Sequence, residues 1–265
     1  MDRLDDLVNR SIYLIREAYA RHRRLAVLWS VGKDSTTLLW LVRKAFMGRL
    51  SVPVVHIDTS FKFRAIYEFR DRLARDWGLD LIIARNDAAI GAGMNNARKF
   101  DCCTALKTQA LRQVIEQRGF EALLLGIRRD EHGVRAKERY FSPRDADFRW
   151  NYADQPMELW DQYHSSISQG RHYRVHPLLH WTELDIWKLI LRENIPTVDL
   201  YFARDGRRYR SIGCECCCQS VESTAADVRA VIEELKTTRL AERAGRAQDK
   251  EQDQAMQRLR ALGYM

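Results

Sequence analysis

No run of about 18 apolar residues occurs anywhere in this sequence, so no transmembrane helix is expected. Internal repeats and low-complexity linkers are also missing, which excludes a solenoid or a string of tethered modules. The opening Met1-Asp2-Arg3 leads straight into a charged amphipathic pattern and not into a signal peptide. The chain therefore reads as cytoplasmic. There is no polybasic tail. Lys and Arg number 44 against 36 Asp and Glu, a net charge of +8, and the excess is spread along the chain. Two readings of that charge stay open: a solvated basic surface around an anionic nucleotide site, or contact with nucleic acid. Cysteine is scarce and uneven. Its six residues fall in two tight groups, Cys102-Cys103 and Cys214 to Cys218. A disulfide framework would spread them out and would need an oxidising compartment. Clustered thiols in a cytosolic chain favour a metal or cluster site.

What is present centres on Leu25 to Phe46. Leu25, Val27, Leu28 and Trp29 suit a buried strand, and Leu38, Leu39, Val42, Ala45 and Phe46 recur on one helical face. Between them lies Ser30-Val31-Gly32-Lys33-Asp34-Ser35. A strand-to-helix turn aims unpaired backbone N–H groups beyond the strand end, where they and the helix dipole suit a phosphate. Gly32 permits close approach of a ligand. Lys33 adds a point charge, and Ser30 and Ser35 add hydroxyls. The pattern is not the Walker loop, which is longer and ends Gly-Lys-Ser/Thr.

With 265 residues and 46% apolar content, the chain can build one large domain or one and a half. Helical periodicity covers residues 2–22, 63–77, 104–118, 182–192 and 222–236, with a further helix near 249–262. Strands are expected at 25–29, 52–59, 79–84, 121–127 and 173–178. Residues 86–101, 128–172 and 199–221 read as loops, the middle one with short helices. Alternating strands and helices predict an α/β, Rossmann-like doubly wound fold: a mainly parallel five-stranded sheet with helices on both faces. The core is expected over 1–195, and a cysteine-bearing loop and helical extension over 196–265. Ligands bind such sheets at the carboxyl ends of the strands. Asp58-Thr59 ends one strand there. Gly126 permits a turn at the end of another, and Arg128, Arg129, Arg135 and Lys137 follow it. Arginine forks pair with phosphate or sulfate oxygens; the competing reading is a structural ion-pair cluster with Asp130, Glu131 and Glu138.

The Ser-Val-Gly-Lys-Asp-Ser turn resembles the pyrophosphate loop of the adenine-nucleotide alpha-hydrolase superfamily, with Val31 in place of its usual first glycine. The wider chain resembles the family of ATP sulfurylase small subunits and phosphoadenylyl-sulfate reductases. The matching stretches are His56-Ile57-Asp58-Thr59 with Lys62-Phe63-Arg64, Arg128-Arg129-Asp130-Glu131 with Arg135-Ala136-Lys137-Glu138-Arg139, Pro177-Leu178 with Trp181-Thr182-Glu183, Asp185-Ile186-Trp187, and Glu242-Arg243-Ala244-Gly245-Arg246. The resemblance implies binding of ATP with Mg²⁺ and its cleavage between the α and β phosphates. By the same match Ser30, Val31, Gly32, Lys33, Asp34 and Ser35 hold the phosphates. Asp58, Thr59, Arg64, Gly126 and Arg135 line the nucleotide site, and Lys33, Arg128 and Arg129 stabilise charge during transfer.

Cys102-Cys103 and Cys214-Glu215-Cys216-Cys217 resemble the ligand set of adenylyl-sulfate reductases. That implies a [4Fe–4S] cluster on Cys102, Cys103, Cys214 and Cys217, with zinc as the alternative. Those reductases also need a cysteine near the C-terminus, and none follows Cys218. The combination resembles the ATP pyrophosphatases of DNA phosphorothioation, which implies contact with DNA and a cysteine desulfurase partner. Two rival readings stay open. One is a sulfate adenylyltransferase small subunit working with a GTPase. The other is a nucleotide-sensing module, without turnover, that docks on DNA or on a desulfurase.

Overall fold

The computed structural model describes residues 2–160, 162–163, 172–243, 258–259 and 261–263. Helix α1 (Arg3–Arg21) opens on a capping box in which Asp2 accepts from the Asp5 amide at 2.8 Å. Strand β1 (Leu25–Leu28) follows, then α2 (Lys33–Ala45), β2 (Val54–Ile57), α3 (Arg64–Asp76) and β3 (Leu81–Ala84). The stretch read as a loop at 86–101 holds two short helices, α4 (Asp87–Gly91) and α5 (Lys99–Cys103). The expected helix at 104–118 is composite: a π-helical turn at Thr104–Gln109 runs into α6 (Ala110–Arg118). Next come β4 (Ala122–Leu125), β5 (Phe141–Arg144), β6 (His172–Val175) and α7 (Glu183–Glu193). A two-residue hairpin, β7 (Arg207–Arg208) with β8 (Val221–Glu222), precedes α8 (Val228–Thr237). Most of the expected helix near 249–262 lies outside the described residues.

The main sheet has six strands in the order β3-β2-β1-β4-β6-β5. Five run parallel. The sixth, β5, is an antiparallel edge on β6, with Phe141 opposite Val175 and Arg144 opposite His172. The sheet is thus one strand wider than the pattern predicts. Every residue of β1, β2, β4 and β6 is buried. That is what a parallel sheet covered on both faces requires. Helices α1, α2, α7 and α8 form one contiguous layer of that cover. α7 starts on a second capping box, Thr182 with Asp185, and ends on Asn194 at φ 51°, one residue type that tolerates the left-handed region.

Strand order reverses between β1 and β4: β1 leads outward to β2 and β3, and β4 outward to β6 and β5. The carboxyl ends of these two neighbours flank the switch point of the sheet, where an open α/β fold leaves a crevice. Among the described residues no helix is long and apolar enough to cross a membrane.

Candidate active site

A cavity opens at that switch point. Its floor is Leu28, Trp29 and Ser30 from the end of β1, Leu125, Gly126 and Ile127 from the end of β4, and Ile57 from β2. The turn into α2 supplies Gly32, Lys33, Asp34 and Ser35. Gly32 is the N-cap residue and offers no side-chain cap, and the first turn of α2 lines the cavity. The Lys33 amide donates to the Tyr201 hydroxyl at 2.9 Å. The Ser30 and Ser35 hydroxyls lie 3.0 Å apart. Trp29 donates from its indole to Thr36 at 3.0 Å, which pins the turn to the helix. Val31 takes φ 69° and is buried. The position therefore demands the left-handed backbone that glycine supplies without strain, and a β-branched residue holds it here. His56, buried beneath, has Nδ1 2.9 Å from the Trp29 carbonyl. A carbonyl only accepts, so that nitrogen carries the proton; burial holds the imidazole well below its usual pKa, neutral.

Gly126 does not make the expected turn; its φ is not positive. Its role is close approach. A Cβ there would lie 3.0 Å from the backbone of Asp34 and Ser35, so β4 and the start of α2 meet only through glycine.

The arginines after β4 divide. Arg128 is fully buried and pairs with Asp34, with Asp130 at 2.9 Å and with Glu242. Burial opposes its charge, but Glu242, Asp130 and Glu183 outweigh that and raise its pKa above the usual arginine value. Arg129 turns the other way, to His180 and the Glu138 carbonyl. Adjacent residues of an extended segment project to opposite sides, so the two guanidinium groups do not share one site as expected, and neither is among the residues that line the cavity. Arg135 does line the cavity, paired with Glu131, which also holds Arg243 at 3.0 Å.

Three other expected contacts are corrected. Asp58 accepts from the Ser60 amide at 2.8 Å and the Tyr67 hydroxyl at 2.9 Å, away from the cavity lining. Burial and that carboxylate push the Tyr67 phenol up to about 12. Thr59 lies against the Cys214 thiol at 3.1 Å and does not line the cavity. Arg64 projects into solvent at the start of α3 and pairs with Glu68 at 2.6 Å.

Residues that motif reading missed complete the wall: Lys62, Lys107, Tyr201, Ser211 to Gly213, Glu131, Glu242 and Arg243. Lys107 sits in the π-helical turn, a distortion frequent at functional sites. A lysine inside the apolar Ala105-Leu106 context was its sequence signal. The Lys62 backbone bridges antiparallel to Cys214 and so brings 211–214 to the cavity rim. Lys62, Glu131, Glu242 and Arg243 all lie in the stretches that carry the family resemblance.

The thiols gather near this rim. Burial, then Cys103 and Cys214, push the Cys102 thiol up to about 11; burial, then Cys216 and Cys214, push Cys217 up to about 12. Yet among the described residues no three His, Cys, Asp or Glu side chains are arranged to hold one metal ion. The expected [4Fe–4S] or zinc site on Cys102, Cys103, Cys214 and Cys217 is therefore not shown, and no chemistry is routed through it.

Residues 24–220 match the model of the phosphoadenosine phosphosulfate reductase domain family. A protein named sulfate adenylyltransferase subunit 2 from Rhodospirillum rubrum is 40% identical over 100% of both chains. Its alignment runs over 295 positions, more than the length of this chain, so that relative carries residues without a counterpart here. One of the same name from Nocardia farcinica is 42% identical over 96% of this chain and 93% of its own. Among solved structures, a phosphoadenylyl-sulfate reductase from Candida auris superposes with a TM-score of 0.56 at 16% identity, over 83% of this chain and 98% of that one. A Candida glabrata FMN adenylyltransferase, solved with FMN and the ATP analogue AMPCPP, gives 0.57 at 19% identity, over 82% and 65%. At those identities the likeness is one of fold. The full-length relatives, named as a subunit of sulfate adenylyltransferase, overturn the expected cysteine desulfurase partner and DNA contact. On the family match and these relatives, the chain belongs to the phosphoadenosine phosphosulfate reductase domain family.

Proposed function

We propose that this chain is the adenylyl-transferring subunit of a cytoplasmic sulfate adenylyltransferase, joining ATP and sulfate to adenylyl sulfate and pyrophosphate and working with a second, GTPase subunit. The observation that carries the reading is Lys33 at the uncapped start of α2, set over the switch point between β1 and β4 in a cavity rimmed by further cations. The curated relatives' shared name, held over essentially the whole chain, supports sulfate as the co-substrate.

In this reading the α2 amides, Lys33 and the Ser30 and Ser35 hydroxyls hold the β and γ phosphates. Arg128 stands behind Asp34 and the loop, where it reinforces positive charge. A sulfate oxygen attacks the α phosphorus in line, and the bond to the β-phosphate oxygen breaks. Sulfate is already ionised at neutral pH, so no general base is required. The rate comes from placement and from fixed positive charge where negative charge develops. Mg²⁺, when bound with the nucleotide, screens the phosphate charge. The Asp34 and Glu131 carboxylates line the same cavity, and Mg²⁺ typically takes one or two such ligands and keeps several waters.

The test is sulfate-dependent pyrophosphate release with the GTPase subunit supplied. Lys33→Ala is expected to lower it at least about 100-fold, the usual effect of removing one charge-stabilising group, with the circular dichroism spectrum unchanged. Turnover within threefold of the native protein would remove the loop from the reaction.

A further inference from the structure

The phosphate site already contains an anion, and the chain supplies it. Directly after α8, residues 238–243 run across the cavity as a short strap. The Leu240 carbonyl accepts from Arg210 at 2.6 Å, and Arg243 donates to Glu131 at 3.0 Å. Between these two anchors the Glu242 carboxylate reaches the head of α2. One oxygen pairs with the Lys33 ammonium and the other with the Arg128 guanidinium. Its side chain is 6% exposed, and those of Lys33 and Arg128 are 1% and 0%. Both cations are thereby sealed from solvent by the strap. Burial alone would raise the Glu242 pKa, but Arg128 and Lys33 outweigh it and hold the carboxyl below the usual range, so the group is a full anion.

We infer that Glu242 is a resident phosphate mimic: its carboxylate occupies the seat of a phosphate group in the ligand-free protein, and the strap must leave before a triphosphate can bind. This rests on the reading that Lys33 holds phosphate, with Arg128 behind it reinforcing the positive charge. Asp34 already shares the pair, with one oxygen on Lys33 at 3.1 Å and the other on Arg128. A phosphate would bring a further anion to this buried site, where like charges at contact distance repel strongly, and Glu242 on the strap is the carboxylate that can leave. One of the strap's attachments, Arg243 to Glu131, lies within the cavity wall itself. Closed, the strap adds a second carboxylate to two buried cations that Asp34 already bridges. Open, it exposes them to the nucleotide. Apparent affinity is then the intrinsic affinity reduced by the fraction of molecules with the strap displaced.

The test uses the full chain and inorganic pyrophosphate, followed by calorimetry, with adenosine as a control that carries no phosphate. Glu242→Gln keeps the shape and loses the charge. It is expected to bind pyrophosphate at least about tenfold more tightly and adenosine equally. Equal or weaker pyrophosphate binding, or an equal gain for adenosine, overturns the inference. Hydrogen exchange on the native protein gives a readout that no unfolded variant can confound. Pyrophosphate is expected to speed exchange of the amides at 239–243; unchanged or slower exchange overturns the strap. Pyrophosphate binding that needs Lys33 but is not tightened by Glu242→Gln sinks this inference alone. No pyrophosphate binding by either protein sinks the phosphate reading with it.

Discussion

Two residues at the cavity floor show how single side chains decide the geometry. Val31 spends its backbone in the left-handed region, where a β-branched residue is strained; strain of that kind persists only when its surroundings over-determine it. Gly126 is the opposite case: its backbone is ordinary and its missing Cβ is the point. A methyl there would meet the Asp34 carbonyl carbon and oxygen and the Ser35 Cα, each at 3.0 Å. None of these is the tip of a flexible chain, so α2 must shift away from β4. Gly126→Ala is expected to cost about 1–3 kcal/mol, the range for overpacking, and to displace the Lys33 amide. Urea denaturation reads the first effect and pyrophosphate release the second. A variant as stable and as active as the native protein would show that the two elements need no such closeness. Motif reading named both residues and missed what each does, because φ and interatomic clearance belong to the assembled turn.

At the scale of elements, the start of α2 is shared between its own loop and a segment far along the chain. The short helical turn Asp199–Tyr201 delivers the Tyr201 hydroxyl to the Lys33 amide, with the ring edge-on to Trp187 of α7. Tyr201→Phe leaves that amide without its partner, and a buried unsatisfied group costs about 1–3 kcal/mol. A phosphate oxygen can take over the amide. The stability deficit, read by thermal unfolding, is therefore expected to shrink when pyrophosphate saturates both proteins. A deficit independent of pyrophosphate would place the ligand elsewhere. The elements that bear the Ser30 to Ser35 turn were legible because local signals coincide there: a buried strand, a turn, then an amphipathic helix. α7 was legible from its capping box. β5 was not. Its sequence, Phe-Ser-Pro-Arg, carries a proline and an arginine, which a sheet tolerates on an edge. Arg144 is buried there with Glu138 at 2.9 Å and the Ser142 hydroxyl at 2.7 Å, pairings invisible before folding. The π-helical turn at 104–109 hid for a related reason: its periodicity differs from an α-helix by too little to read over six residues.

For the molecule as a whole, the position of the charges governs how stability changes with pH, and the cluster that Arg129 joins is decisive. Around it sit Arg10, Arg139, Glu158, His180 and the Tyr140 hydroxyl. Burial, then the charges of Arg129 and Arg10, pull the His180 imidazole down to about 4. Burial pushes the Glu158 carboxyl up to about 7, although Phe141 donates an amide to it at 2.9 Å and Arg139 opposes the rise. Between about 4 and 6.5 the unfolded chain holds a proton on His180 and the native protein does not, so stability rises with pH. Between about 4.5 and 7 the native protein holds a proton on Glu158 and the unfolded chain does not, so stability falls with pH. Over the shared window these two oppose, while the buried His56 and His22 imidazoles, also depressed by burial, leave the native profile rising with pH. Below it, protonation of Glu242, whose native carboxyl is depressed, removes a stabilising anion and adds to acid unfolding. Glu158→Gln deletes only the falling arm. Its stability relative to the native protein is therefore expected to climb steadily from pH 5 to pH 7.5, read as the difference in urea midpoints. His180→Gln is expected to do the reverse and lose ground over the same interval. Parallel profiles for all three proteins would mean that both groups keep their ordinary values in the native protein.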